Sequence, residues 1–374
     1  MQFPDSISLK WNSKKSWNIN YSFKSNINDE SYLNFVILRN IKKEIKIYGK
    51  IQKNVTNIGN RHILEKTLKN KSLLKSNLQK CIRRSYVDEA LISAFNLINL
   101  DFLAFIRRII IIAIEDVGIP SNLDFLAWLM IAYPNYEINN EIIQYLLLTV
   151  YSLCIYGYEK TERKNDTIIV NYNEVIDYYN LDFNNNFINS LIIRAAFGGM
   201  KGDIKMINKI INMINDGCNI DIIPICTKNI HVTRSILKSD IIYCSKYYNL
   251  PSIDFHCYPE ILDLVHQETG IPKLRIKNLM WYFSSCRNKR VNGKKKDYLY
   301  PFIDSRQCLN CGKIHDKRRC YYCKLSKKTG NFSKWDYSHS PLDKKKALYE
   351  WEKIIVPKLI PIQKNIINNK IYIN

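Results

Sequence analysis

Four cysteines near the C-terminal end of the chain have the spacing of a metal site. They form two Cys-x-x-Cys pairs separated by eight residues in the segment CLNCGKIHDKRRCYYC: Cys308, Cys311, Cys320 and Cys323. Such pairs place four thiolates in the tetrahedral arrangement that Zn²⁺ prefers, and four protein ligands leave no position open for a substrate. The pattern therefore predicts a structural zinc-ribbon-like module that folds only with its ion bound.

The sequence around these cysteines is strongly basic and contains aromatic residues. Between Arg287 and Lys328 there are 14 Lys and Arg residues against three acidic ones. Cations neutralise phosphates and aromatic rings stack on unpaired bases, so this composition favours nucleic-acid binding. The same geometry also suits a zinc module that docks on a protein, and that alternative stays open. The residues that we expect to contact nucleic acid are Arg287, Lys289, Arg290, Lys294, Lys295, Lys296, Lys317, Arg318, Arg319, Tyr321 and Tyr322.

The charge of the whole chain points to an anionic partner. The 374 residues carry a formal net charge of +22, which favours nucleic acid, DNA or RNA, over an acidic membrane surface. The abundance of Ile, Asn, Lys and Tyr is typical of AT-rich genomes and raises the lysine count by itself. The arginines are therefore the more informative cations, because only Arg offers a planar fork for phosphate.

The cysteine usage and the N-terminal residues indicate the compartment. The start, MQFPDSISLKWNSKK, has no apolar segment typical of a secretory signal, and seven of the 11 cysteines are scattered singly. We expect a reduced, intracellular protein, cytoplasmic or nuclear, with a viral replication compartment as a further alternative. The most apolar stretch, Ile142 to Tyr158, contains Gln, Thr and Ser, so we interpret it as a buried helix and expect no membrane partner.

Scattered acidic residues leave an enzymatic alternative open. Glu115 and Asp116 are adjacent, and Asp203 and the pair Asp254-x-His256 follow further along the chain. Carboxylates and imidazole are the groups that bind Mg²⁺ or carry out acid–base catalysis, so their convergence would predict a metal-dependent enzyme acting on DNA or RNA. No motif of a nuclease or polymerase joins them, and we favour a non-catalytic protein. A third hypothesis is a structural or adaptor protein of a larger assembly, with protein partners or a homo-oligomer.

Two amphipathic helices between Leu78 and Gly118 organise the centre of the chain. Ser85-x-x-Asp88 has the form of a capping box, which predicts a helix start there, and Gly118 before Pro120 predicts a helix end. Six apolar residues between these limits recur at helical spacing and predict one buried stripe: Phe102, Phe105, Ile106, Ile109, Ile112 and Ala113. Arg107, Arg108, Glu115 and Asp116 stand beside this stripe, where we expect them to join neighbouring helices.

The motifs of this region, IRR-x(3)-DEAL, FIRR and IEDVG, also suggest a relationship. Residues 78–118 resemble the C-terminal helical region of the clamp-loader-like ATPases of the RarA/Werner-helicase-interacting type. The resemblance implies a helical segment that helps to assemble an oligomer acting on replicating DNA. It covers about 40 of the 374 residues, and the chain contains no G-x-x-x-x-G-K-[ST] phosphate loop, so no ATP site of that kind is expected.

These observations predict a mainly α protein: a helical bundle or array with a small N-terminal β element or irregular arm and a C-terminal zinc-ribbon-like module. The predicted parts are an N-terminal arm or small β element (1–60), a helical core (61–157), a polar insertion or linker (158–186), a second helical part (187–286), a basic zinc-binding module (287–340), and a C-terminal helix and tail (341–374). The favoured function is a zinc protein that binds nucleic acid in replication, repair or transcription.

Overall fold

The computed structural model describes most of the N-terminal and central chain and a C-terminal helix. The described residues are 4–11, 17–23, 31–38, 42–49, 71–162, 183–215, 222–226, 230–237, 247–281, 283 and 344–371. Within them the chain is mainly helical with a strand region at its N-terminal end, which confirms this part of the predicted fold class. The predicted zinc-ribbon-like module lies outside the described residues.

The N-terminal strand region is a mixed four-stranded sheet in the order β2-β1-β4-β3. Its strands are β1 (Ser6–Trp11), β2 (Trp17–Ser22), β3 (Ser31–Leu38) and β4 (Lys43–Gly49). β1 pairs antiparallel with β2 and parallel with β4, and β3 pairs antiparallel with β4. Apolar residues alternate along these strands, so one face is buried: Ile45 and Ile47 have no exposed surface.

Helices form the rest of the described body. Their bounds are α1 (Lys71–Arg84), α2 (Val87–Leu100), α3 (Phe102–Ile112), α4 (Leu123–Ala132), α5 (Asn140–Glu162), α6 (Phe183–Ala196), α7 (Lys201–Asn215), α8 (Ile230–Leu237), α9 (Ile261–Thr269), α10 (Lys273–Met280), α11 (Lys344–Tyr349) and α12 (Val356–Ile366). A short parallel pair, Ile119–Pro120 with Ile222–Ile223, joins the segments after α3 and α7. α1 packs against α2, α3 and α5, so it lies at the centre of the helical layer.

The sheet and the helices share one hydrophobic core. All six residues of the stripe predicted on α3 are buried. Trp128 of α4 reaches the sheet, where its indole Nε1 donates a hydrogen bond of 3.1 Å to the carbonyl of Tyr48. A Cβ on Gly49 would lie only 2.8 Å from Cζ2 of Trp128, so the missing side chain of this glycine lets α4 approach the sheet. The N-terminal strands are therefore part of the body.

The helix ends show which local signals were correct. The predicted capping box at Ser85 is wrong: α2 begins at Val87, and the Ser85 hydroxyl instead donates 3.0 Å to the carbonyl of Cys154. A tertiary partner thus replaces the local one. Asp101, which was not predicted, caps α3 by accepting a 2.9 Å hydrogen bond from the Ala104 N–H. The helix ends before Gly118 as predicted, through a final π-helical turn, Ala113–Val117.

The C-terminal helix is longer than the sequence suggested. A helix followed by a tail was predicted for 341–374, but helical structure continues from Lys344 to Ile371, with Pro361 inside α12. Tertiary packing outweighs the lost backbone bond. Trp351 is buried with its ring 5.5 Å from that of Phe283, and the Gln363 amide donates to the carbonyls of Leu250 and Ile253.

The apolar stretch expected to be a buried helix lies in α5. Ile143, Leu146, Leu147, Val150 and Leu153 are fully enclosed by the body. Among the described residues, no helix combines the length and the apolar character needed to cross a bilayer.

Candidate functional site

The polar side of α1 is buried, although its spacing is typical of a solvent-facing surface. Gln79, Lys80 and Arg83 are each less than a tenth exposed. Their partners come from segments far away in sequence and form two polar groups. Gln79 and Arg83 belong to the first group, and Lys80 belongs to the second. Because buried polar groups are costly unless they are hydrogen-bonded, these contacts fix how the surrounding segments meet.

The first group joins α1 to the end of α3. The Gln79 amide donates 3.0 Å hydrogen bonds to both Glu115 and Asp116, and its own oxygen accepts from Arg108. Arg83 holds Asp116 with two bonds, of 2.7 and 3.1 Å, in the bidentate geometry typical of Arg–carboxylate pairs. The predicted role of Arg108, Glu115 and Asp116, joining neighbouring helices, is confirmed, whereas Arg107 takes no part in this group.

The π-helical turn at the end of α3 supplies both carboxylates to this group. Glu115 is exposed as a residue, but its carboxylate lies against Gln79 and beside Asp116. Desolvation, followed by the charge of Asp116, raises the pKa of Glu115 above its usual range, and the arginines oppose this change. Glu115 can therefore keep its proton at a higher pH than an isolated glutamate does. Its contacts nevertheless serve to join α1 to the end of α3.

The second group connects α1 to the turn before α9. Lys80 is an ion-pair partner of Asp254, whose side chain is completely buried, and Lys80 also donates 2.9 Å to Ser76. The other carboxylate oxygen of Asp254 accepts the backbone N–H of His256 at 2.8 Å and lies 2.9 Å from His256 Nδ1. Burial alone would raise the pKa of Asp254, but Lys80 and His256 outweigh it and hold this pKa below its usual range.

His256 is the surface end of this second group. Its side chain is 44% exposed, whereas Asp254 beneath it is fully covered. With Nδ1 turned to the carboxylate, Nε2 is the ring nitrogen that is left to form a further hydrogen bond. The buried carboxylate thus orients the imidazole and places a polar ring of fixed orientation on the surface.

Two further rings flank this histidine. The Phe255 ring centroid lies 4.1 Å from that of His256, with 30° between the planes. Trp281, at the end of α10, lies 5.1 Å from His256 and 6.4 Å from Phe255. Lys277 of α10 places its ammonium 5.6 Å from the centre of the Phe255 ring. We call Phe255, His256 and Trp281 the aromatic cluster.

The acidic residues of the enzymatic alternative do not form one metal site in the described structure. Glu115 and Asp116 contact Gln79, Asp254 contacts Lys80, and Asp203 lies in the first turn of α7. In the ranges given above, no group of three or more His, Cys, Asp or Glu side chains is placed to hold a metal ion. The convergence on which that alternative depends is therefore absent from this part of the chain.

A buried arginine in the last turn of α6 contacts the connection between α6 and α7. Arg194 donates 2.7 Å to the carbonyl of Gly198 and 3.2 Å to that of Arg107, whose own guanidinium lies 5.4 Å from the Phe197 ring centre. Burial, followed by the neighbouring charge of Arg107, lowers the pKa of Arg194 to about 10. Gly198, with φ of 86°, makes the tight turn that these contacts require.

The residues predicted for the metal and nucleic-acid sites lie outside the described residues. This holds for Cys308, Cys311, Cys320 and Cys323 and for the basic and aromatic residues from Arg287 to Tyr322. They stay predictions. Lys80, Phe255 and Lys277 were not predicted as site residues. No local pattern singles out Lys80, because a lone lysine on a polar helix face carries no sign of a partner 174 residues away.

Comparison with known protein families, curated proteins and solved structures gives no match for this chain. The resemblance of residues 78–118 to the clamp-loader-like ATPases therefore stays a prediction. Function has to be argued from the chain's own residues.

Proposed function

We propose that this protein binds nucleic acid through a C-terminal zinc module, without catalysing a reaction on it. The observation that carries the proposal is the coincidence of two patterns in one segment. The Cys308–Cys323 pattern supplies four thiolates, and the residues from Arg287 to Lys328 supply 14 cations against three acids. A rigid, cationic module of this kind binds polyanions by releasing counterions.

The contacts within the described residues support this assignment of nucleic-acid binding to the zinc module. Two of the body's buried cations are paired with buried acids, Arg83 with Asp116 and Lys80 with Asp254. These ion pairs hold neighbouring segments of the body together. The large excess of positive charge in the zinc segment has no comparable set of acids near it in sequence, which favours an external anion as its partner.

The test is a titration of labelled single-stranded DNA, duplex DNA and RNA at several salt concentrations. The variant replaces Lys317, Arg318 and Arg319 by Gln. If the three side chains contact phosphates, the slope of log affinity against log salt becomes shallower by about 2–3, and affinity falls alike for all sequences.

A matched control removes the same charge from the body. Lys205, Lys353 and Lys364 are exposed on α7, on the π-helical segment after α11 and on α12, and their replacement by Gln gives an equal change in net charge. We expect this control to keep the wild-type slope. Equal slopes for all three proteins, or a wild-type affinity that does not change with salt, would refute the proposal.

A further inference from the structure

More buried polar contacts lie beneath the aromatic cluster than packing alone requires. A buried ion pair costs desolvation that its attraction barely offsets, so apolar residues would stabilise this turn at least as well. Lys80 and Asp254 nevertheless lie beneath His256, and both carboxylate oxygens are used. The consequence of this arrangement is an imidazole ring held in a fixed orientation at the surface.

The three residues are partly exposed and lie next to a positive charge. His256 is 44% exposed, and Phe255 and Trp281 are half-buried. Lys277 lies over the Phe255 ring at 5.6 Å from its centre. Side chains that combine flat π-faces with adjacent cations are the ones that bind unpaired bases and their phosphates.

The cluster also lies where the chain enters its basic segment. Arg287, the first residue of the basic run, follows Trp281 by six residues. Since an extended chain covers at most about 3.3–3.6 Å per residue, this run begins within about 20 Å of the Trp281 backbone. A strand whose phosphates contact the run can therefore also reach the rings.

We infer that Phe255, His256 and Trp281 form a stacking platform for unpaired bases of a single-stranded nucleic acid, with Lys277 as a neighbouring cation. The inference rests on the proposed function and gives its substrate class: single strands are preferred to duplexes, because paired bases do not expose their faces. The body then contributes base stacking, and the zinc module contributes phosphate binding.

The test uses the full-length protein and a fluorescein-labelled oligothymidine. We expect Trp281→Ala to weaken binding about 5- to 150-fold, the range that corresponds to 1–3 kcal/mol per stacked base. The salt slope should stay at the wild-type value, because no phosphate contact is removed. Affinity for duplex DNA of equal length should stay within about twofold.

Two further variants keep the test decisive. His256→Ala removes an exposed ring and should weaken binding in the same way even if the tryptophan variant folds poorly. Leu274→Ala, on the same helix as Lys277, removes an apolar side chain that is 70% exposed and should leave binding unchanged.

The outcomes separate the two proposals. If the wild type binds with a steep salt slope but Trp281→Ala and His256→Ala bind normally, the platform is refuted while the proposed function stands. Wild-type protein that does not bind oligothymidine at any salt concentration refutes the platform, and the proposed function is refuted as well only if duplex DNA and RNA are not bound either. An equal loss for single-stranded and duplex probes in both variants would also overturn the platform.

Discussion

The ion pair between Lys80 and Asp254 gives the sharpest test of how the body is held together. The two side chains are 6% and 0% exposed, so neither can exchange its partner for water. Replacing Lys80 by Met keeps the volume of the stem but leaves a buried carboxylate whose cation is gone. Loss of one member of a buried pair typically costs about 3–5 kcal/mol, and we expect a decrease of that size in the free energy of unfolding.

Urea unfolding monitored by circular dichroism measures this change. The control is Lys358→Met, because Lys358 pairs with Glu268 at 3.1 Å but both side chains are about half exposed, 49% and 55%. Exposed pairs contribute about 0–1 kcal/mol, so this variant should unfold almost like the wild type. In a double-mutant cycle, Asp254→Asn combined with Lys80→Met should cost less than the sum of the single changes.

The pH dependence gives an independent check of the same pair. In the wild type the pKa of Asp254 is lowered, so its contribution to stability is present above the unfolded pKa of about 4 and is lost as pH falls below it. Without Lys80, the contacts with His256 alone oppose burial, so this pKa is higher than in the wild type and the variant loses less stability on acidification. The difference between the two proteins should therefore shrink from pH 7 to pH 4. If the free energies of unfolding of the two proteins differ by less than about 1 kcal/mol at every pH, the ion pair does not make the predicted contribution to stability.

Three further predictions follow from other parts of the chain. Gly49→Ala places a Cβ 2.8 Å from Trp128 Cζ2, and urea titrations should show a free energy of unfolding that is lower by about 1–3 kcal/mol. An unchanged unfolding midpoint would mean that α4 can shift away from the sheet. Burial raises the pKa of Asp124 to about 6, so its contribution to stability is lost as pH rises through 6. Asp124→Asn should remove up to about 3 kcal/mol of this pH dependence, and identical pH profiles would contradict it. Atomic absorption should find one zinc ion per chain, lost in Cys311→Ser with little change in helical content; no metal in the wild type would rule out the zinc module.

The parts of the fold that the sequence predicted are those determined by local patterns. The stripe on α3 is buried because its helical period places every member on one side. The helix end before Gly118 also follows from residue type alone. By contrast, the Ser85 hydroxyl bonds to Cys154, 69 residues away, and α12 continues past Pro361 because Gln363 and Leu359 are buried against the body. Tertiary contacts decided these cases, and no local pattern records them.

The candidate site shows the same limit more strongly. Ser76, Lys80 and Arg83 recur at the spacing of a polar helix face, which normally indicates contact with solvent. Each is instead paired with a group from a distant segment. The Asp254-x-His256 motif was recognised, but its orientation by Lys80 depends on a pairing across 174 residues.

The distance in sequence between α1 and its partners has a consequence for biosynthesis. Translation proceeds at about 5–20 residues per second, so Lys80 is synthesised about 9–35 s before Asp254, 174 residues later. During this interval the nascent helix carries an ammonium group and amides whose native counterparts do not yet exist. Folding of the centre of the protein is thus completed only after most of the polypeptide has been synthesised, and a ribosome stalled before residue 254 would hold a chain unable to close its core.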